Sequence, residues 1–360
     1  MHGLYYLLMH GWFRVFAPTQ LWARAPSALA IGGAAAGIVV LATQFGSRSV
    51  AVCSGVMFAV LPRASWAGVE ARPYAMSTMA AVWITVLFAV ALRRGRTVRW
   101  VCYAAAVALS IVLDVYLVLM VVAHLGFLVA VRARRAATIR FAVAAVAALA
   151  LAAPFMPFAR RQSAQLGWIP PLSARTIIDV GVKQYFDRSV PFAILAALVV
   201  GTWIQLRRKD AKPGEPQIVW LTLTWVAIPT VLALGYSAVV TPIYYPRYLC
   251  FTAPAVAVLL GTCIAVLAQT PLRAATFLVL FALAAFPNYL CGQRGPYSKY
   301  GMDYSQVADL VKQKAPRGRL PAARRHRHMA TRSDPSARRG APRRICEAGG
   351  RQPRRTGSVA

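Results

Sequence analysis

Apolar runs long enough to cross a bilayer follow one another along most of the chain, and the polar breaks between them are short. A transmembrane helix needs roughly 17–25 predominantly apolar residues to cross ~30 Å of hydrocarbon. Such runs predict spans at 26–44, 49–63, 74–92, 100–113, 115–131, 141–158, 190–206, 218–237, 248–268 and 273–290, the second and fourth being short. The fold class expected is all-α, a polytopic transmembrane helix bundle of about ten spans. No segment has the basic start, short apolar core and small-residue cleavage site of a signal peptide.

The breaks carry a sidedness. Arg93–Arg99, Arg132–Arg140 and residues 207–212 are short, basic and separated by pairs of spans, so the positive-inside rule places all three in the cytoplasm. Residues 1–25, the loop holding Glu70, the connector at Asp114, the loop 159–190, the segment 238–247 and everything after 290 then lie outside. Composition agrees: 58% of residues are hydrophobic and 14% charged, and the mean hydropathy is +0.53, values a water-soluble domain of this length rarely tolerates. The net charge of +31 is accounted for in part by the basic loops and calls for no nucleic acid.

Both ends depart from this pattern. After about Pro316 the text turns to Arg, Pro, Ala, Gly and Ser, as in Ala322–His328 and Ala341–Arg344, a composition that cannot bury a core. The expectation is a disordered tail or the frameshifted reading of a GC-rich gene. At the front, the aromatic stretch from His2 to Phe13 starts outside the membrane with no span to carry it there, which predicts a further span upstream of Met1. The domain organisation expected is an extracytoplasmic segment over 1–25, the bundle over 26–290, an extracytoplasmic segment over 291–316 and the tail over 317–360.

One charged hexapeptide stands out. Glu70-Ala71-Arg72-Pro73-Tyr74-Ala75 sits between two apolar stretches, and charge at a membrane edge is expensive unless it is paired or lines a polar cavity. It falls third in an ordered series: Leu4-Tyr5-Tyr6-Leu7-Leu8 with His10-Gly11-Trp12, then Arg24-Ala25-Pro26-Ser27-Ala28-Leu29, then the hexapeptide, then Tyr245-Pro246-Arg247-Tyr248-Leu249. Over residues 1–290 this order resembles the landmarks of bacterial polytopic glycosyltransferases of the GT-C superfamily, in the branch of protein O-mannosyltransferases and aminoarabinose transferases. Each landmark falls on the side that the arginines make extracytoplasmic.

The resemblance implies a GT-C-like fold in the bacterial cytoplasmic membrane and transfer of a mannose- or arabinose-like sugar from a polyprenyl-phosphate donor. The acceptor would be a glycan, lipid or protein of the cell envelope. It implies no firm cofactor, though a divalent metal would suit the departing phosphate. Such chemistry needs a carboxylate as general base and cationic stabilisation of the leaving lipid phosphate. The family's acidic residue usually lies between the first span and the Tyr-Tyr landmark, a stretch that precedes Met1, so the catalytic base is unassigned and Glu70 is only a weak candidate.

The substrate-binding candidates are Arg72, Tyr74, Arg247, Tyr245 and His2, the last because it heads a landmark. For Glu70 and Arg72 the competing reading is a structural ion pair that closes the loop. For Arg247 it is interfacial anchoring by a snorkelling arginine in an aromatic belt. Asp114 reads as a helix cap for the following span, with contact to the sugar as the alternative, and His124 as packed within the bundle. Asp179, Lys183, Tyr185, Asp187 and Arg188 lie in the loop 159–190, which reads as an amphipathic interfacial helix, with an acceptor-binding lid as the alternative.

The six cysteines form no CxxC or zinc-like spacing and indicate no disulfide framework. No Walker A loop, GxGxxG or HExxH occurs, which leaves ATP-driven transport, nicotinamide chemistry and zinc proteolysis without their usual sequence support. Two other classes remain open: a transporter or flippase of lipid-linked glycan, and a catalytically inactive, truncated membrane protein.

Overall fold

The computed structural model describes residues 3–161, 167–209 and 217–294, with isolated positions 306, 310 and 313. The chain divides into two units, residues 1–290 and 291–360. The first is all-helical among the described residues. Seven of those helices are long and apolar enough to span a bilayer, and an eighth span is made if one bent pair counts as one. The chain is a multi-pass membrane protein.

In chain order the helices are α1 (Gly3–Val15), α2 (Gln20–Phe45), α3 (Arg48–Val60), α4 (Pro62–Val69), α5 (Tyr74–Arg94), α6 (Thr97–Leu113), α7 (Val118–Ala130) and α8 (Arg135–Ala152). Three short pieces follow: α9 (Met156–Arg161), α10 (Arg175–Ile178) and α11 (Gln184–Phe186). The bundle closes with α12 (Val190–Lys209), α13 (Gln217–Val239), α14 (Ala253–Leu267) and α15 (Pro271–Tyr289).

Local chemistry explains the boundaries. The hydroxyls of Thr19, Ser47 and Thr270 accept from backbone N–H groups in the first turns of α2, α3 and α15, which satisfies donors that helix geometry orphans. Gly95 ends α5 in the left-handed region at φ +63°, a conformation open to glycine without strain. The bend is proline's work: Leu61 is held extended at ψ 121° ahead of Pro62, as the residue before proline must be. The axes of α3 and α4 therefore diverge by 57°, so the run expected to end at residue 63 turns and continues to Val69. The apolar stretches 100–113 and 115–131 also appear as short helices, with Asp114 at the break between them.

Small residues bring the helices together. An added Cβ on Gly261 of α14 would lie 2.5 Å from the backbone nitrogen of Ser54 on α3, and one on Gly33 of α2 would lie 2.9 Å from the Met79 sulfur on α5. Close backbone approach of this kind replaces the hydrophobic effect as the source of association in lipid, where apolar surface gains nothing from burial. Around these seams Ile38, Phe58, Phe88, Phe127 and Trp225 form a fully buried core. His124 lies within it, packed as expected: its ring stacks on Phe88 at 4.4 Å, and its nitrogens meet the Tyr103 hydroxyl at 2.9 Å and Thr85 Oγ1 at 3.1 Å.

Hydrogen bonds gather the loops at two ends. At one, Arg140 donates to the Gly95 carbonyl at 2.7 Å, Arg93 donates to the Gln44 carbonyl, and Gln217 at the start of α13 shares a cavity with Gln44 and Arg93. At the other, Ser27 donates to the Glu70 carbonyl at 2.8 Å and Tyr116 to that of Ile243 at 2.7 Å. The loops expected on one side of the membrane thus meet at one end.

Three expectations change. The segment 1–25 is not simply a loop, because Gly3–Val15 forms α1 and α2 begins at Gln20. The segment 167–189 is no plain interfacial helix: Gln184, Tyr185 and Phe186 are buried, since Gln184 and Tyr185 find hydrogen-bond partners inside the bundle and Phe186 packs on Phe192. Cys291, in the second unit, is disulfide-bonded, whereas Cys53, Cys102, Cys250 and Cys263 are free. The tail over 317–360, its expected disorder and Cys346 lie outside the described residues.

Candidate functional site

Five sequence candidates, Glu70, Arg72, Tyr74, Tyr245 and Arg247, lie at the Glu70 end. The chain leaves α4 extended at Glu70, turns through Arg72 and Pro73, and enters α5 at Tyr74. Arg72 Nε lies 3.4 Å from Glu70 Oε1, the arginine side chain half exposed and the glutamate 13% exposed. Burial works against the Arg72 charge and nearby Arg247 repels it, but a hydrogen bond with Tyr74, the Tyr74 charge interaction and Glu70 together raise its pKa. Tyr74 is itself buried, which fixes this hydrogen bond in a low-dielectric setting where it is strong.

Arg247 approaches from the other side of the same cluster. It follows Pro246 in the 3₁₀ turn Pro246–Thr252, where proline fixes φ and the tight turn aims the guanidinium at neighbouring rings. Its Cζ stands 4.7 Å from the centroid of Tyr245, 5.1 Å from that of Trp168 and 6.0 Å from that of Tyr248, within the range of cation–π attraction. The aromatic wall runs on, with Tyr116 stacked on Tyr248 at 5.5 Å, Tyr74 at 6.3 Å from Tyr248, and Trp66 at 5.4 Å from Tyr74. Two guanidiniums and one carboxylate thus stand at one end of the bundle beside a run of tyrosine and tryptophan rings.

Asp114 is committed to structure. Its carboxylate accepts from the Tyr116 backbone N–H at 3.1 Å and from the Ser77 hydroxyl at 2.8 Å, the cap that the sequence suggests. His2 lies outside the described residues. Among the described residues no group of three or more His, Cys, Asp or Glu side chains comes together.

Sequence reading missed three components. Tyr5 of α1 is buried, and its phenol is pushed up to about 12 by burial, with Tyr6 and Glu70 adding to the shift and Arg72 opposing it. It is therefore a neutral hydroxyl in the field of the Glu70–Arg72 pair. Arg63, just past the α3–α4 bend, is buried: its Nε donates to the Gln184 carbonyl at 3.0 Å, its Nη2 donates to that of Lys183, and its Nη1 pairs with Asp187 at 3.1 Å. The guanidinium also lies 4.8 Å from the Trp66 ring.

The third component is a buried amide. Gln184 Nε2 donates to Thr230 Oγ1 at 3.0 Å and to the Tyr185 hydroxyl at 2.7 Å, and its Oε1 accepts from the Tyr244 hydroxyl at 2.9 Å. Burial raises the Tyr244 and Tyr185 pKa values, so both remain hydroxyl donors at neutral pH. Asn288 adds a bond to the Asp187 carbonyl at 2.7 Å. Loop 167–189 is thereby fixed behind the pocket, with Trp168 delivered to Arg247. The only advance signals were the Pro62-Arg63 pair at the end of an apolar run and the polar residues clustered at 183–188. Neither any protein-family model nor any curated protein matches this chain.

Proposed function

We propose that the Glu70 end is the extracytoplasmic pocket of a GT-C-type membrane glycosyltransferase that takes a sugar from a polyprenyl-phosphate donor and passes it to a hydroxyl or amine of a cell-envelope acceptor. The observation that carries this reading is that Arg72 and Arg247 meet at one run of rings: Arg72 bonds to Tyr74, Tyr74 lies 6.3 Å from Tyr248, and Arg247 lies 6.0 Å from Tyr248. Like charges held together in a partly buried setting are stabilised when an anion binds between them, and forked guanidiniums suit phosphate oxygens. The surrounding rings present flat apolar faces to a sugar, and the membrane-spanning helices give the lipid chain a path from the side.

In this reading the acceptor oxygen or nitrogen attacks the anomeric carbon, the bond from that carbon to the phosphate oxygen breaks, and the acceptor proton passes to a carboxylate. The negative charge gathers on the leaving phosphate beside the arginines. Glu70, 3.4 Å from Arg72, is the candidate to take the proton, with Arg72 and Tyr74 holding its loop.

The ten apolar stretches make ten crossings if the bent pair α3–α4 and the short helices α6 and α7 each traverse the bilayer. With that count, the positive-inside rule implies that the Glu70 end lies outside. Ala71→Cys is then expected to react with an impermeant thiol reagent in intact cells, in a Cys102→Ser background, while Thr97→Cys at the basic end stays protected until the cells are opened. The reverse labelling would invert the sidedness and remove the donor pocket from the outer face.

The pair Glu70–Arg72 separates chemistry from structure. Glu70→Gln and Arg72→Leu alone each strand a charge and are expected to lower the yield of folded protein. The double variant is expected to regain yield and remain inactive, as measured by sugar transfer from a polyprenyl-phosphate donor per unit of folded protein in proteoliposomes. Recovery of activity in the double variant would reduce the pair to a loop fastener.

The break at Leu61-Pro62 favours a second reading, because transporters of lipid-linked glycans build their sites at interrupted helices. Appearance of intact donor in the opposite leaflet, with no sugar transferred, would establish that alternative.

A further inference from the structure

The helix α15 is the most open of the long helices, with Phe281 its one buried residue, and its start lies at the opposite, basic end of the bundle. The gap it leaves against α3 and α14 is a groove of about 420 Å³. Val52, Ala275 and Leu278 give it apolar walls, while Arg48, Gln269 and Thr270 stand at its mouth. Arg48 is exposed, and among the described residues its side chain pairs with no carboxylate. Two of the helices along the groove, α14 and α15, belong to helices long and apolar enough to cross a bilayer, so lipid is the solvent expected beside it.

We infer that this groove holds one anionic phospholipid, with an acyl chain against Val52, Ala275 and Leu278 and the headgroup phosphate on Arg48. Two arguments fix the occupant. A groove of this size between spanning helices loses dispersion contacts along its whole lining unless hydrocarbon fills it, and an acyl chain is the hydrocarbon at hand. The mouth carries positive charge together with neutral hydrogen-bond donors, so it complements a phosphate, and basic pockets between transmembrane helices select anionic headgroups. The inference is independent of the transferase reading, since it concerns the other end of the bundle.

The test compares retention of phosphatidylglycerol and phosphatidylcholine by the full chain, purified and titrated with each lipid, using native mass spectrometry. The wild type is expected to hold one phosphatidylglycerol in preference to phosphatidylcholine. Arg48→Gln is expected to weaken that binding about fivefold, the effect of one interfacial cation, and Arg48→Lys to restore most of it. Ala275→Trp, at an exposed position, fills the groove and is expected to abolish retention of both lipids while the thermal midpoint stays within a few degrees. Equal retention of the two lipids by the wild type would mark the binding as unselective. Unchanged retention in both Arg48→Gln and Ala275→Trp would place the lipid elsewhere or give the groove to another part of the chain, and either result overturns the proposal.

Discussion

Arg247→Ala is expected to reduce sugar transfer from a polyprenyl-phosphate donor by about 100- to 1000-fold, the loss typical of one well-placed charge stabiliser at a transferring group, while the amount of folded protein changes little. The reasoning rests on how Arg247 is held. Its guanidinium lies against Trp168, Tyr245 and Tyr248, contacts worth roughly 0.5–2 kcal/mol to the charge, a small loss beside the stability of an ordinary domain. Lysine keeps the charge but gives up the planar fork and the stacking, so Arg247→Lys should recover only part of the rate. The assay is initial transfer rate in proteoliposomes, normalised to folded protein. Wild-type activity in Arg247→Ala would take this residue out of the donor site and leave it as an interfacial anchor.

Arg63→Met should act in the opposite way, on the fold first. Arg63 and Asp187 are mostly buried, at 5% and 18% side-chain exposure, and the same guanidinium satisfies the carbonyls of Lys183 and Gln184. Removing the cation takes a charged donor away from the Asp187 carboxylate and from two carbonyls, a loss on the order of 3–5 kcal/mol. That is a large share of the stability of an ordinary domain. The expected result is a steep fall in the yield of monodisperse protein and in its thermal midpoint. Arg63→Met with Asp187→Asn removes both charges and should recover part of the loss, leaving the two carbonyls as the remainder. If Arg63→Met is as abundant and as heat-stable as the wild type, the loop does not depend on this latch.

The contrast between Arg247 and Arg63 shows what the sequence makes legible. Hydropathy and the spacing of arginines are enough to find the helices and to sort the loops into two groups, because the constraint they report, bilayer thickness, is uniform along the chain. Glu70 and Arg72 are two residues apart, and Arg247 has Tyr245 and Tyr248 beside it, so their local company can be read directly. Trp168 cannot be assigned to Arg247 in this way. Arg63 looks like the flank of an apolar run, yet its hydrogen-bond partner Gln184 is 121 residues further on, and no periodicity carries that pairing. The loop containing Gln184 is polar enough to read as interfacial, and only its partners Thr230 and Tyr244 explain why it is buried. The bend at Pro62 was equally hidden: proline marks a break, but the direction taken after it depends on what Arg63 finds.

The contact of Gly261 with Ser54 also fixes how the chain can vary in length. One residue inserted within α3 or α14 would rotate everything beyond it by about 100° around the helix axis. A bulkier side chain would then face the Ser54 backbone at a separation only hydrogen fits. Insertions and deletions are therefore confined to the turns, and the two helices must keep their register from the basic end to the pocket.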